Sequence, residues 1–181
     1  MPSRTIQTDP AKVPLEKMRP DLAVQFSVTA KNGYAIGRGD VVGLVTSDGL
    51  ARRRSRGAVT GTAFTTGTAT GSVDDATVFK VGDVLKNAAG VTVGTILTIV
   101  GNLITLAANA GVAVATAANV FGSDGSETAK CIAEDGSDGT TATQIATFIG
   151  GYLDESQILR LDATAKTELG GASTIGGIFK F

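Results

Sequence analysis

The stretch VTVGTILTIVGNLITLA, residues 91–107, decides the fold class of this chain. β-Branched residues alternate with Thr and Gly over residues 91–100, which is the two-residue period of a β-strand. Gly101-Asn102 is a turn signal, and the run LITLA that follows it predicts the returning strand of a hairpin. The sequence therefore predicts a β-hairpin here.

The same pattern of short strands and turns continues towards the N-terminus. In residues 22–29, Leu22, Val24, Phe26 and Val28 alternate with smaller or polar residues, which predicts a half-buried strand. Turn signals at Asn32-Gly33, Arg38-Gly39-Asp40 and Asp48-Gly49 separate short strands at residues 34–36 and 41–45. This half of the chain is thus predicted to be antiparallel β-structure.

Helical signals are few. Ser72 is predicted to cap a brief helical turn in residues 73–81, and Asp154 or Asp162 to cap a helix over residues 163–169. A final strand is predicted within GGIFKF, residues 176–181. The fold class expected is mostly all-β with one or two short helices.

The composition excludes the commonest catalytic and metal-binding solutions. The chain has 181 residues, no His and one Cys, so a Ser–His or Cys–His pair, a Cys/His zinc site and an intrachain disulfide are all excluded. We expect Cys131 to be a buried strand thiol, and we expect neither enzyme activity nor a cofactor or metal. Aromatic residues make up only 5%, and such a thin core favours self-assembly, because binding to the native state stabilises it.

Charge is distributed unevenly along the chain. Residues 1–57 contain ten basic and five acidic residues, residues 58–121 two and three, and residues 122–181 four and nine. The charge-poor middle is bracketed by Gly57 and Gly122. This shift predicts an inserted β module, residues 58–121, in a β host domain of residues 22–57 and 122–181. The net charges of +5 and −5 at the two ends suit head-to-tail contact between copies.

The first 21 residues have the composition of an extended arm. All four prolines, Pro2, Pro10, Pro14 and Pro20, lie here, and proline disfavours both helix interiors and central strands. We expect residues 1–21 to lie along a partner surface. The alternative is a tail without a function.

The run ARRRSRG, residues 51–57, concentrates four arginines. It is open to three interpretations: a contact to an acidic protein surface, a solvated loop, or a nucleic-acid site. The last is disfavoured, because no aromatic platform accompanies the run and the chain is slightly acidic. Together with the arm, the run supplies the residues expected to contact a partner, which are Arg4, Pro10, Lys12, Pro14, Lys17, Arg19, Pro20, Arg52, Arg53, Arg54 and Arg56.

Two acidic clusters have similarly plain interpretations. Glu134, Asp135 and Asp138 lack the spacing of an EF-hand, so a solvated turn is favoured over a calcium site. Asp154-Glu155 is a carboxylate pair, but adjacent residues on a strand point in opposite directions. Neither cluster predicts catalysis.

The segments GRGDVVGLVTSDGLARR, residues 37–53, and ETAKCIAEDGSDGTTATQIATFIGGYLDESQI, residues 127–158, resemble head decoration proteins of lambda-type tailed bacteriophages. The matching positions are Gly39 to Gly43, Ile132 to Asp135 and Gly150 to Glu155. Residues 161–181 resemble the helix and final strand that end those proteins. The insert, with FKVGDVL and GNLITLAANAGVAVA, looks like a module carried by larger members.

The resemblance implies a structural cement protein that binds the outer surface of a phage head and stabilises it. Its expected partners are the major capsid protein and further copies of itself, as a homotrimer at three-fold positions, and neither nucleic acid nor a membrane. The expected location is the outside of the virion capsid, after synthesis in the bacterial cytoplasm. The alternative is a tail- or fibre-associated β protein whose insert serves adhesion.

Overall fold

The computed structural model describes residues 24–152 and 155–170, and the backbone of residues 179–180. These residues form β-strands and one α-helix, α1 (Ala163–Gly170). The strands are β1 (Val24–Thr29), β2 (Val41–Leu44), β3 (Ala51–Arg53), β4 (Arg56–Ala58), β5 (Thr70–Ser72), β6 (Val84–Asn87), β7 (Thr92–Val100), β8 (Leu103–Leu106), β9 (Asn119–Phe121), β10 (Cys131–Ala133), β11 (Gln144–Tyr152) and β12 (Phe179–Lys180). The mostly β fold with a short helix is confirmed. No helix in the described ranges is long and apolar enough to cross a membrane.

The first sheet has the strand order β1-β11-β10-β2-β3, with antiparallel neighbours, and β12 runs parallel to β11. Its two end strands also meet at one point. Ala30, just after β1, forms a parallel bridge with Ala51 of β3, and the Lys31 N–H donates to the Ala51 carbonyl at 2.6 Å. The first sheet therefore curls into a small ring, called ring 1 below.

Alternation of side chains gives ring 1 two apolar faces. One cluster of buried residues includes Val42, Cys131 and Ile145, whereas the neighbouring positions Val41 and Ile132 belong to a second cluster. Helix α1 covers the second face with Ala165 and Leu169. Asp162 begins this helix, because its Oδ1 accepts from the Ala165 N–H at 2.8 Å, as one of the two predicted caps.

The second sheet has the order β4-β9-β6-β7-β8-β5. An antiparallel bridge joins Val59, just after β4, to Val73, just after β5, so the two end strands of this sheet also meet. This closed sheet is called ring 2 below. The predicted hairpin is confirmed as β7 and β8, with Val100 paired to Leu103 across the turn.

The interior of ring 2 is a single cluster whose buried members run from Val59 to Val120. Phe64 is fully buried in it and packs over Gly71 of β5, where an added Cβ would lie 2.6 Å from the phenyl ring. The chain enters ring 2 through β4 and leaves through β9, and these two strands are paired. The division of the chain at residues 58 and 121 stays a prediction, because its test is whether either part folds alone.

Three local expectations need correction. Phe26 was expected on the buried side, but it is 50% exposed, because β1 reaches β3 only at Ala30 and ring 1 is open beside Phe26. Ser72 ends β5 instead of capping a helix, and Asp75 caps the short 3-10 helix Ala76–Val78 by accepting from the Thr77 N–H. Residues 34–36 form only the isolated bridge of Ile36 to Ser137.

Several predicted features lie outside the described residues. These are the arm, the first residues of the strand predicted at 22–29, the alternative cap Asp154 and most of the predicted final strand.

Candidate functional site: an arginine junction between the rings

The four arginines of the run lie where the chain crosses from ring 1 to ring 2. Arg52 and Arg53 belong to β3 of ring 1, Arg56 begins β4 of ring 2, and Arg54 lies between these strands. Arg56 pairs with Phe121 of β9, so the outgoing and returning segments run side by side. The run is thus placed at the contact between the two rings.

Arg52 is the most deeply placed of the four, with 1% of its surface exposed. Its guanidinium stacks on the Tyr34 ring, 3.8 Å from the ring centroid. It donates to Asp124 at 2.8 Å, to Asp83 at 3.1 Å and to the Val78 carbonyl. Arg52 therefore connects a residue of ring 1 to the segment between β5 and β6 of ring 2.

Burial and the charge of Arg52 shift the pKa values of its neighbours Tyr34 and Asp124. Burial raises the pKa of Tyr34 to about 12, against the opposing effect of Arg52, while Asp83 adds to the rise. Burial alone would raise the pKa of Asp124, but hydrogen bonds from Ser126 and the charge of Arg52 outweigh it, so this pKa is lowered. Asp124 is accordingly held in its charged form beside Arg52.

Asp75, the cap of the 3-10 helix in ring 2, forms ion pairs with two arginines that lie outside ring 2. Arg53 Nη1 lies 3.4 Å from Asp75, and Arg160 Nη2 lies 2.5 Å from it. Although burial acts to raise the pKa of Asp75, hydrogen bonds from Thr77 and the charges of Arg160 and Arg53 lower it. The carboxylate of Asp75 is therefore a second ionic connection between the rings.

Arg160 is held in an unusual backbone conformation, with φ near 60°. Its Nη1 also donates to Asp40 at 2.5 Å, so one guanidinium bridges Asp40 of ring 1 and Asp75 of ring 2. Asp40 is buried and its pKa is raised by that burial, which the Gly37 N–H and the charge of Arg160 only partly offset. Asp40, from the sequence Arg38-Gly39-Asp40, is thus buried and bound to groups of the same chain.

Arg54 and Arg56 point to helix α1 instead. Arg54 donates to the Glu127 carbonyl at 2.8 Å and to Asp162 at 2.7 Å, and Arg56 also pairs with Asp162. Glu168 of α1 lies 3.0 Å from Arg54 and forms an ion pair with it. Burial lowers the pKa of both arginines. Asp162, the helix cap, therefore joins α1 to the run.

A cleft of about 420 Å³ opens at this junction. Its lining combines basic, acidic and apolar side chains. The residues that line it are Val41, Arg54, Arg56, Ala58, Asp74, Asp75, Asn119, Ile158, Arg160, Leu161 and Asp162. Because Arg54 and Arg56 pair with Asp162, and Arg160 pairs with Asp75, these charges hold the parts of the junction together more readily than they would bind a charged ligand.

The partner contacts predicted for the run must be corrected at two residues. Arg52 and Arg54 are 1% and 5% exposed, and their guanidinium groups are bound to groups of the same chain. The run is therefore not a solvated loop. Arg53 and Arg56 are partly exposed, and their contact with a partner stays a prediction. Arg4, Pro10, Lys12, Pro14, Lys17, Arg19 and Pro20 lie outside the described residues.

The opposite charges of the two ends of the chain meet inside the molecule. Arg52, Arg54 and Arg56 from the basic end pair with Asp124, Asp162 and Glu168 from the acidic end. These charges are consequently not available to steer one copy of the chain onto another. These pairs lower the charge that the two ends present to another copy, and the homotrimer with its head-to-tail contact stays a prediction.

The remaining candidate groups lie in ordinary structural settings. Cys131 is fully buried as predicted, and burial raises the pKa of its thiol to about 12. Asp138 accepts from the N–H and hydroxyl of Thr140. Within the described part of the chain, no group of three or more His, Cys, Asp or Glu residues is placed to hold a metal ion. The chemistry of the junction is that of ion pairing and stacking.

Comparisons of the chain with protein-family models, curated proteins and solved structures found no match.

Proposed function

We propose that this protein is a decoration, or cement, protein of a tailed-bacteriophage head. The proposal is carried by the placement of the three segments on which the sequence resemblance rests. Residues 39–43 and 132–135 include parts of β2 and β10, and residues 150–152 of the third segment are the end of β11. These three strands are far apart in sequence but are neighbours in ring 1. A resemblance in separate short segments gains weight when the strands that carry them are neighbours.

The close packing around one of these segments supports the same proposal. Gly43 lies against the backbone of Ser126, where an added Cβ would come within 2.6 Å of the Ser126 carbonyl carbon. The glycine of the Gly-Asp-Val-Val-Gly segment is thus required by the approach of the returning chain to ring 1. This gives the matching glycine a structural reason in this protein.

In this proposal, ring 1 is the body that sits on the shell, and the arm of residues 1–21 lies along the capsid surface. The junction holds ring 2 to ring 1 through Arg52, Arg53 and Arg160. Ring 2 then projects from the body as an attached unit. The partners are the major capsid protein and two further copies of the chain at a three-fold position.

Co-sedimentation with empty phage heads tests the proposal. The purified protein is mixed with heads lacking decoration, and we expect it to pellet with them up to a fixed number of copies per shell. Binding to the tail fraction instead, or no saturable binding to heads, would overturn the proposal. Purified tails from the same phage serve as the matched control, because the alternative function predicts binding there.

A further inference from the structure

The outer face of β5, β8 and β7 in ring 2 carries no charged side chain. The register places Thr70, Thr105 and Thr98 in one row across the three strands, and Ser72, Leu103 and Val100 in the next. The sequence contains no Asp, Glu, Lys or Arg from residue 87 to residue 123. We call these two rows, with the adjoining Leu97, the uncharged face.

Large apolar side chains are exposed on this face. Val100 is 73% exposed, Leu97 53% and Leu103 42%. The residues between them point the other way, since Ile104 and Ile99 of the same strands pack in the interior of ring 2. The exposure therefore belongs to a continuous sheet surface and not to isolated side chains.

Most of the backbone edges of the uncharged face are paired. β8 lies between β7 and β5, residues 92–95 of β7 pair with β6, and the Val59–Val73 bridge brings the end of β5 to the end of β4. An added strand would find few unpaired N–H and C=O groups here. A partner must therefore meet this face through side chains.

We propose that the uncharged face binds the same face of a second copy of this chain. A partner surface that carried charges would bury them without a counter-charge, which is strongly unfavourable, so the partner surface must be uncharged as well. Threonine hydroxyls both donate and accept hydrogen bonds, so a row of them can pair with an identical row. Both requirements are met by a second copy related by a two-fold axis.

This contact is separate from the three-fold arrangement of the proposed function and does not depend on it. On a shell, a two-fold contact through ring 2 would link subunits of neighbouring groups. In solution, it would produce a dimer without any capsid. The two ideas can therefore fail independently.

Sedimentation velocity of the full chain, without phage heads, tests the contact at protein concentrations up to about 1 mM. We expect a reversible dimer whose dissociation constant rises at least about tenfold in Val100→Glu and in Leu103→Glu. Val91→Glu is the matched control, because Val91 is 50% exposed and precedes β7 at the end opposite Val100. Circular dichroism of each variant checks that it is folded before its dissociation constant is compared.

A monomer up to the highest concentration would overturn the proposal, and so would a dimer that Val100→Glu leaves unchanged. Cross-linking provides a second measurement that does not rely on a disruptive variant. We expect Val100→Cys to form an interchain disulfide on oxidation faster than Val91→Cys, because only position 100 lies in the contact. Equal rates for these two variants would also contradict it.

Discussion

The guanidinium of Arg52 stacks on the ring of Tyr34 at 3.8 Å, and Arg52 lies buried between the two rings while Tyr34 is partly exposed. The N–H groups of the guanidinium donate to Asp124 and Asp83. A single arginine from the basic run thus contacts both rings and the returning segment. The stability of the whole molecule should depend on it.

Arg52→Ala is expected to destabilise the protein by about 3 kcal/mol. The change leaves two acidic partners without their cation and removes the stacking on Tyr34, while the partial exposure of Asp83 and Asp124 limits the cost. Arg52→Lys should recover only part of the lost stability. An ammonium group is not planar, so it cannot stack on Tyr34, and it cannot donate to both carboxylates with the fixed geometry of a guanidinium. Urea unfolding measures the free energy of unfolding of both variants.

Lys31→Ala is the matched control, because the Lys31–Asp48 pair is exposed to solvent. Such pairs contribute at most about 1 kcal/mol. If Arg52→Ala were as mild as Lys31→Ala, the junction would not be a major source of stability.

Acid should weaken the junction. The pKa values of Asp75 and Asp124 are lowered in the native protein, so below their unfolded value of about 3.9 the unfolded chain takes up protons first. Their contribution is therefore present above that pH and is lost as the pH falls through the native pKa values. Asp40, whose pKa is raised, acts in the opposite direction, since its contribution is lost as the pH rises.

The melting temperature followed from pH 7 down to about pH 3 measures this effect. We expect Asp75→Asn to have a lower melting temperature at neutral pH and a flatter decline in acid than the parent protein. Parallel curves for the two proteins would show that Asp75 does not contribute to the acid sensitivity.

Gly71→Ala should destabilise ring 2 by about 1–3 kcal/mol, because the added methyl group overlaps the buried Phe64 ring. In the double variant with Phe64→Leu, the two costs should be less than additive, since the smaller side chain makes room. Gly67→Ala is the control, because nothing lies within 4 Å of its added Cβ. Thermal unfolding measures the stability of these variants. Equal losses of stability in Gly71→Ala and Gly67→Ala would contradict the packing of Phe64 on Gly71.

Replacing residues 58–121 with a short Gly/Ser linker should leave a protein that folds. Arg56 and Phe121 are directly paired, so a short linker can join the cut ends, and neither core cluster of ring 1 contains a residue of the insert. The shortened protein should be less stable than the parent, because Arg53 and Arg160 lose Asp75. A cooperative melt is the expected result, and its absence would show that ring 1 requires ring 2.

Deleting residues 1–20 should leave the melting temperature nearly unchanged and abolish binding to empty heads. The removed segment precedes β1 and contains all four prolines, which disfavour both helix interiors and central strands. Co-sedimentation with heads measures the binding. Undiminished binding of the truncated protein would exclude the arm as a capsid contact.

Local signals in the sequence were sufficient for much of the fold. The hairpin of β7 and β8 was predicted because alternation and a Gly-Asn turn are encoded in adjacent residues. The closure of both rings was not predicted, since it depends on single bridges, such as Val59 to Val73, that have no periodic pattern.

The candidate site was located by sequence but misinterpreted. The arginine run was identified correctly as a concentration of charge, yet the acid that binds Arg54, Asp162, lies 108 residues further along the chain. Sequence spacing gives no indication of such a partner. The opposite net charge of the two ends indicates that they can attract each other, but it does not distinguish contact within one chain from contact between copies.

Electron cryomicroscopy of the phage head with the protein bound is the most direct test of the capsid-decoration proposal. The account predicts density for ring 1 on the outer surface of the shell at three-fold positions, with ring 2 projecting from it and the arm along the capsid protein. Density confined to the tail, or isolated copies placed without regard to the three-fold positions, would contradict it.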